Sequence, residues 1–121
     1  MTQYLISFGA HAMDHLSGDQ MPAVAKAAHA VVQEAISAGV YVAAGGLRPH
    51  PARIVSAEGR VTDGSPLDAI SGFTLVEVAS PEDALRWAAK LAVACRCPQE
   101  VREIGPDPEL DVMFREVDAR R

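Results

Sequence analysis

The chain has 121 residues and a mass of 12.8 kDa, which fits one domain and leaves no room for a second of comparable weight. Apolar residues make up 49% and aromatics only 5%, with Trp87 the single tryptophan, so the core is aliphatic and alanine-rich and the exposed rings needed to stack single-stranded nucleic acid are missing. With 11 Lys+Arg against 16 Asp+Glu, the formal net charge of −5 argues against a basic nucleic-acid footprint.

In chain order, Tyr4-Leu5-Ile6-Ser7-Phe8 is β-branched and aromatic enough for a first strand, ended by Gly9. Residues Ala10 to Gln20 hold serine and glycine breakers and two histidines, and read as a loop. Pro22 suits the first turn of a helix. Val24, Ala28, Val31, Ala35 and Ala38 then recur at helical spacing, widened by Val32 and Ile36, and Gly39 follows as a terminator. Val40 to Ala44 is a second strand, closed by Gly45-Gly46. Past a proline-interrupted connection, Leu47 to Pro51, residues Ala52 to Ala57 and Arg60 to Thr62 form a small hairpin about Glu58-Gly59. Asp63-Gly64-Ser65-Pro66 is a turn by composition.

Ile70 to Val78 is the strongest strand signal. Ser80-Pro81-Glu82-Asp83 starts a helix: Ser80 caps, Pro81 takes the first position and Asp83 sits where a capping-box acid would. Ala84, Leu85, Ala88 and Leu91 are its expected buried stripe, with Trp87 on the shoulder. Gln99 to Ile104 alternates polar and apolar, as a half-exposed strand does. Leu110 to Val117 is too apolar for a free tail.

This order, β-α-β, hairpin, β-α-β, predicts an α+β fold: a ferredoxin-like split βαβ unit with both helices on one face of an antiparallel sheet. The uncovered face predicts a homodimer that closes a dimeric α+β barrel. Residues 1–106 are assigned to this domain, and 107–121 to a C-terminal extension that packs on the domain or on the partner subunit. The N-terminus has neither the basic start nor the long apolar run of a signal peptide, and no window is apolar enough for a membrane span. Cys95 and Cys97 lie too close in sequence for an unstrained disulfide and lack a second pair at zinc spacing. A cytoplasmic protein with reduced thiols is expected, with no cofactor and no metal site.

Several residues carry possible chemistry. His11 and His15 are four apart, which on a helix would suit a metal, but their setting reads as a solvated loop that can still touch a ligand. His29 lies at the edge of the first helix's apolar stripe, either as a boundary residue or as a general base. A base needs an orienting partner, and Asp63 is the candidate; the alternative is that Asp63 stabilises its own turn. In Gly45-Gly46-Leu47-Arg48-Pro49-His50, the glycines permit close backbone approach to a ligand or a strand. Arg48 or His50 there would hold an anionic group. No phosphate-loop or nucleophile-elbow motif occurs.

The motif order also resembles a known family. Tyr4-Leu5-Ile6, Ala38-Gly39-Val40, Gly45-Gly46-Leu47-x-Pro49, Val61-Thr62-Asp63-Gly64, Gly72-Phe73-x-Leu75-Val76-Glu77-Val78 and Glu82-Asp83-Ala84-Leu85-x-Trp87-Ala88 are together similar to the YCII-related proteins, in the branch with a Thr-Asp-Gly-Pro-Phe signature. The likeness runs from Met1 to about Pro106; the Pro-Phe of the signature is replaced by Ser65-Pro66-Leu67. It implies a dimeric α+β barrel, a motif aspartate at Asp63 followed by Gly64, and a helix histidine near His29. Members of that family are mostly uncharacterised; some are proposed to be enzymes that use a His–Asp pair in a cleft, and others accompany transcription sigma factors.

Three functions follow as expectations. The first is a small-molecule enzyme with His29 as acid/base, Asp63 as its orienter, and Arg48, His50, Gly46 and Gly64 around the ligand. The second is a non-catalytic ligand- or partner-binding dimeric module, linked to transcription regulation through the family resemblance. The third, by fold analogy alone, is a cofactor-independent oxygenase.

Overall fold

The computed structural model describes residues 1–64 and 69–119. It is a mixed α+β fold with a four-stranded antiparallel sheet and three α-helices. The strands are β1 (Thr2–Gly9), β2 (Tyr41–Gly46), β3 (Arg53–Val55), β4 (Val61–Asp63), β5 (Ile70–Val78) and β6 (Glu100–Glu103). The helices are α1 (Met21–Ser37), α2 (Pro81–Cys95) and α3 (Pro108–Ala119). The main sheet runs β2-β5-β1-β6, while β3 and β4 pair separately. No helix among the described residues is long and apolar enough to cross a membrane.

Strand alternation sorts the sheet into two faces. Register places Tyr4 opposite Val76, Ile6 opposite Thr74 and Phe8 opposite Gly72, so these residues share one face. On it, Tyr4, Ile6, Val76 and Val78 pack against Ala84, Ala88 and Leu91 of α2, with Val31 of α1 at the edge. Ile6 and Val76 are fully buried. Leu5, Phe73 and Leu75 point to the other face, half-buried, and no helix among the described residues packs there.

Local chemistry sets the helix ends. Ser80 Oγ accepts the Asp83 N–H at 3.2 Å, with Pro81 in the first turn, as the sequence pattern requires. Gly39 follows α1 at φ 75°, the left-handed region that glycine enters without a Cβ penalty. Arg96 ends α2 in the same region, at φ 58°.

Four expectations are corrected. Gly45 and Gly46 belong to β2 rather than following it, pairing with Phe73 and Gly72 of β5, and the strand ends at Gly46. Asp63 is not in a turn: it pairs with Arg53 at the end of the β3–β4 ladder, and the rest of that predicted turn, 65–66, lies outside the described residues. Leu85 is exposed, since the buried stripe Ala84-Ala88-Leu91-Cys95 leaves it a quarter-turn away. Ile36 and Ala38 are exposed too, so the apolar face of α1 is buried only in part, at Val24 and Ala35.

Candidate functional site

A cavity of about 330 Å³ lies where β2 leaves the sheet. Its walls include Ala10, Leu47, Arg48, Pro51, Ile70 and Ser71. Backbone hydrogen bonds hold it open: Leu47 N–H donates to Ser71 O at 2.7 Å, and Ala10 N–H donates to Ala69 O at 3.1 Å. The His50–Pro51 peptide bond is cis. Gly64 N–H donates to Ala52 O at 2.7 Å, and a Cβ on Gly64 would stand 3.3 Å from that of Ala52, so the hairpin base packs closely. The volume lies at the small end of ligand pockets, and apolar walls with one cationic side chain suit a small anion with an apolar body.

The expected site residues divide between this place and others. Arg48 lines the cavity, and no carboxylate among the described residues pairs with it. His50 is exposed in the same bend, two residues on. Gly46 pairs with Gly72 at the sheet end, and Gly64 sits against Ala52, another lining residue. His29 is exposed on α1. Asp63 Oδ1 stands 3.7 Å from Arg53 Nε, and its side chain is 91% exposed. Among the described residues no hydrogen bond or ion pair joins His29 to Asp63. The reason is topological: α1 packs with α2 and β2, whereas Asp63 belongs to the separate two-stranded sheet.

Among the described residues, a histidine–carboxylate contact lies elsewhere. His11 Nδ1 lies 2.7 Å from Asp14 Oδ2, within the turns that follow β1. Both side chains are well exposed. The signal was the His-x-x-Asp spacing in a segment read as a solvated loop that can still touch a ligand.

Cys95 and Cys97 are free and buried. Burial, and then the neighbouring Cys97, raises the Cys95 thiol above its usual range. Burial raises Cys97 as well, against a lowering contact from Gln99, whose Nε2 is 3.5 Å from the sulfur. Such thiols are inert rather than nucleophilic. Among the described residues no three His, Cys, Asp or Glu side chains gather as metal ligands. Compared with known proteins, the chain matches no family model, and the search among curated proteins finds no match.

Proposed function

We propose that the protein is a homodimeric binding module whose bend cavity takes a small carboxylate with an apolar body. The observation that carries this is the 330 Å³ apolar cavity with Arg48 in its wall. A carboxylate there gains a charge-assisted, bidentate hydrogen bond, while the proline and alanine walls contact the rest of the ligand. His50 is near enough in the chain to add a second contact at the rim.

The dimer is supported by the half-buried Leu5, Phe73 and Leu75 on the open sheet face. The order β2-β5-β1-β6, with α1 and α2 as its two crossovers, supports a ferredoxin-like split βαβ unit; two such units facing each other form a dimeric α+β barrel. The motif order resembling the YCII-related proteins supports the same assembly. The free thiols suit the reducing cytoplasm.

Calorimetric titration with phenylacetate tests the binding. Saturable binding that weakens about 10- to 100-fold in Arg48→Gln is expected, the usual worth of a hydrogen bond to a charged group. Equal affinity in that variant, or no binding to the wild type, would refute it. The enzyme reading of His29 and Asp63 makes a separate demand: His29→Gln and Asp63→Asn must each abolish turnover of a bound ligand, and under the binding-module reading both variants bind normally.

A further inference from the structure

The bend cavity holds a second polar side chain, which a simple carboxylate leaves unused. Besides Arg48, its wall is made of alanine, proline, leucine and isoleucine, and of one serine, Ser71. The strand pattern explains how Ser71 comes to be there. Gly72 packs against Phe8, on the face of β5 that meets the helices. Alternation turns Ser71 to the opposite face, with Phe73 and Leu75, so its hydroxyl is not drawn into the core. Ser71 is half-buried, and among the described residues no side-chain hydrogen bond uses its hydroxyl.

The same local pairing sets Ser71 beside Arg48. Leu47 N–H donates to Ser71 O at 2.7 Å, which carries the β2–β5 pairing one residue past Gly46 and Gly72. Arg48 is the next residue, and it lines the same 330 Å³ space as Ser71. Residues paired across neighbouring strands have Cβ atoms about 4.5–5.5 Å apart. Ser71 and the residue after its partner are therefore within reach of adjacent carbons of one small ligand. The open groove of about 600 Å³ between α1 and α2 offers no such combination: alanines dominate its wall, and its Lys90 and Glu34 already pair with each other at 3.2 Å.

An apolar group laid over Ser71 strips water from the hydroxyl without replacing its hydrogen bond, which is unfavourable. A ligand hydroxyl placed against it removes that cost, because both groups donate and accept. We infer that the cavity takes a 2-hydroxy acid with an apolar substituent: Arg48 binds the carboxylate, Ser71 hydrogen-bonds the 2-hydroxyl, and the proline and alanine walls hold the substituent. This rests on the carboxylate reading above and adds the group by which the site tells one carboxylate from another. It also demands one hand. Carbon 2 of such an acid carries three groups with three different places to go, and only one mirror image fills all three.

Calorimetric titration of the full chain with phenylacetate, (R)-mandelate and (S)-mandelate tests it, in the wild type and in Ser71→Ala. One mandelate enantiomer should bind at least about fivefold tighter than phenylacetate and than its mirror image, the worth of one net hydrogen bond. In Ser71→Ala both enantiomers should fall to the affinity of phenylacetate, whose own affinity stays within about twofold. The carbonyl that accepts from Leu47 survives that substitution, and unchanged phenylacetate binding reports an intact cavity. Mandelate no tighter than phenylacetate, equal affinity for the two enantiomers, or a preference that persists in Ser71→Ala overturns the inference and leaves the carboxylate reading standing. Loss of phenylacetate binding in Ser71→Ala overturns it as well, by assigning Ser71 to the shape of the cavity. No binding of any of the three acids to the wild type overturns both readings.

Discussion

Gly72 offers a sharp test of how the sheet end beside the cavity is packed. It pairs with Phe8 across β1 and β5, and a Cβ built on it would lie 2.3 Å from Phe8 Cζ and 2.5 Å from Cε1. Carbon atoms in contact sit about 3.5–4.0 Å apart, so Gly72→Ala forces the ring to move by more than about 1 Å. Such overpacking costs about 1–3 kcal/mol. Against it, alanine is worth about 0.5–1 kcal/mol through the lower entropy of the unfolded chain. The net expectation is a loss of up to about 2.5 kcal/mol. In a Phe8→Ala background the clash disappears, and the same substitution becomes neutral or stabilising by up to about 1 kcal/mol. Urea unfolding followed by the fluorescence of Trp87, at one fixed protein concentration, reads all four proteins of the cycle. A Gly72→Ala effect of the same sign and size in both backgrounds would refute the assigned contact.

Other expectations follow from the same packing. Ile6→Ala, at a fully buried position, should cost about 2–5 kcal/mol, whereas Leu85→Ala, at 57% exposure, should stay within about 0.5 kcal/mol in the same urea assay. The two ends of α2 should respond oppositely: Ser80→Ala loses about 1 kcal/mol with its cap, and Arg96→Gly gains about 0.5–1 kcal/mol by relieving a left-handed non-glycine residue. Burial holds the Cys95 and Cys97 thiols above their ordinary 9.0, so the folded state favours the neutral thiols. Their contribution to stability is intact below pH 9 and is lost as pH rises through the raised values. Iodoacetamide at pH 8 should therefore label the native protein at least about tenfold more slowly than the urea-unfolded chain.

The elements were legible where local chemistry dictates them. The Ser80-Pro81-Glu82-Asp83 start of α2, the glycine after α1 and the apolar run of β5 each state a backbone preference in adjacent residues, and each holds. Errors fall where partners decide. Gly45-Gly46 looks like a break after the strand, but pairing with β5 carries β2 through both residues. Leu85 passes for core by its chemistry, but the four-three-four spacing of Ala84, Ala88, Leu91 and Cys95 turns it outward.

The site was legible in the same uneven way. Arg48 stood out as an unexplained cation beside glycines and prolines, and it lines the cavity. His29 and Asp63 were paired by residue type and by the family resemblance, and nothing in their separation of 34 positions could show that one sits on the helical layer and the other in a separate hairpin. His11 and Asp14 had the reverse history: a short-range contact set by consecutive turns, hidden in a segment without periodicity.

The central claim is that the bend cavity at Arg48 binds a small carboxylate, and amide chemical-shift mapping during a phenylacetate titration tests it most directly. The account predicts saturable shifts clustered at Ala10, Leu47, Arg48, Ile70 and Ser71, with the midpoint moved about 10- to 100-fold higher in Arg48→Gln. Shifts confined to the α1–α2 groove, or none that saturate at the bend, would contradict it.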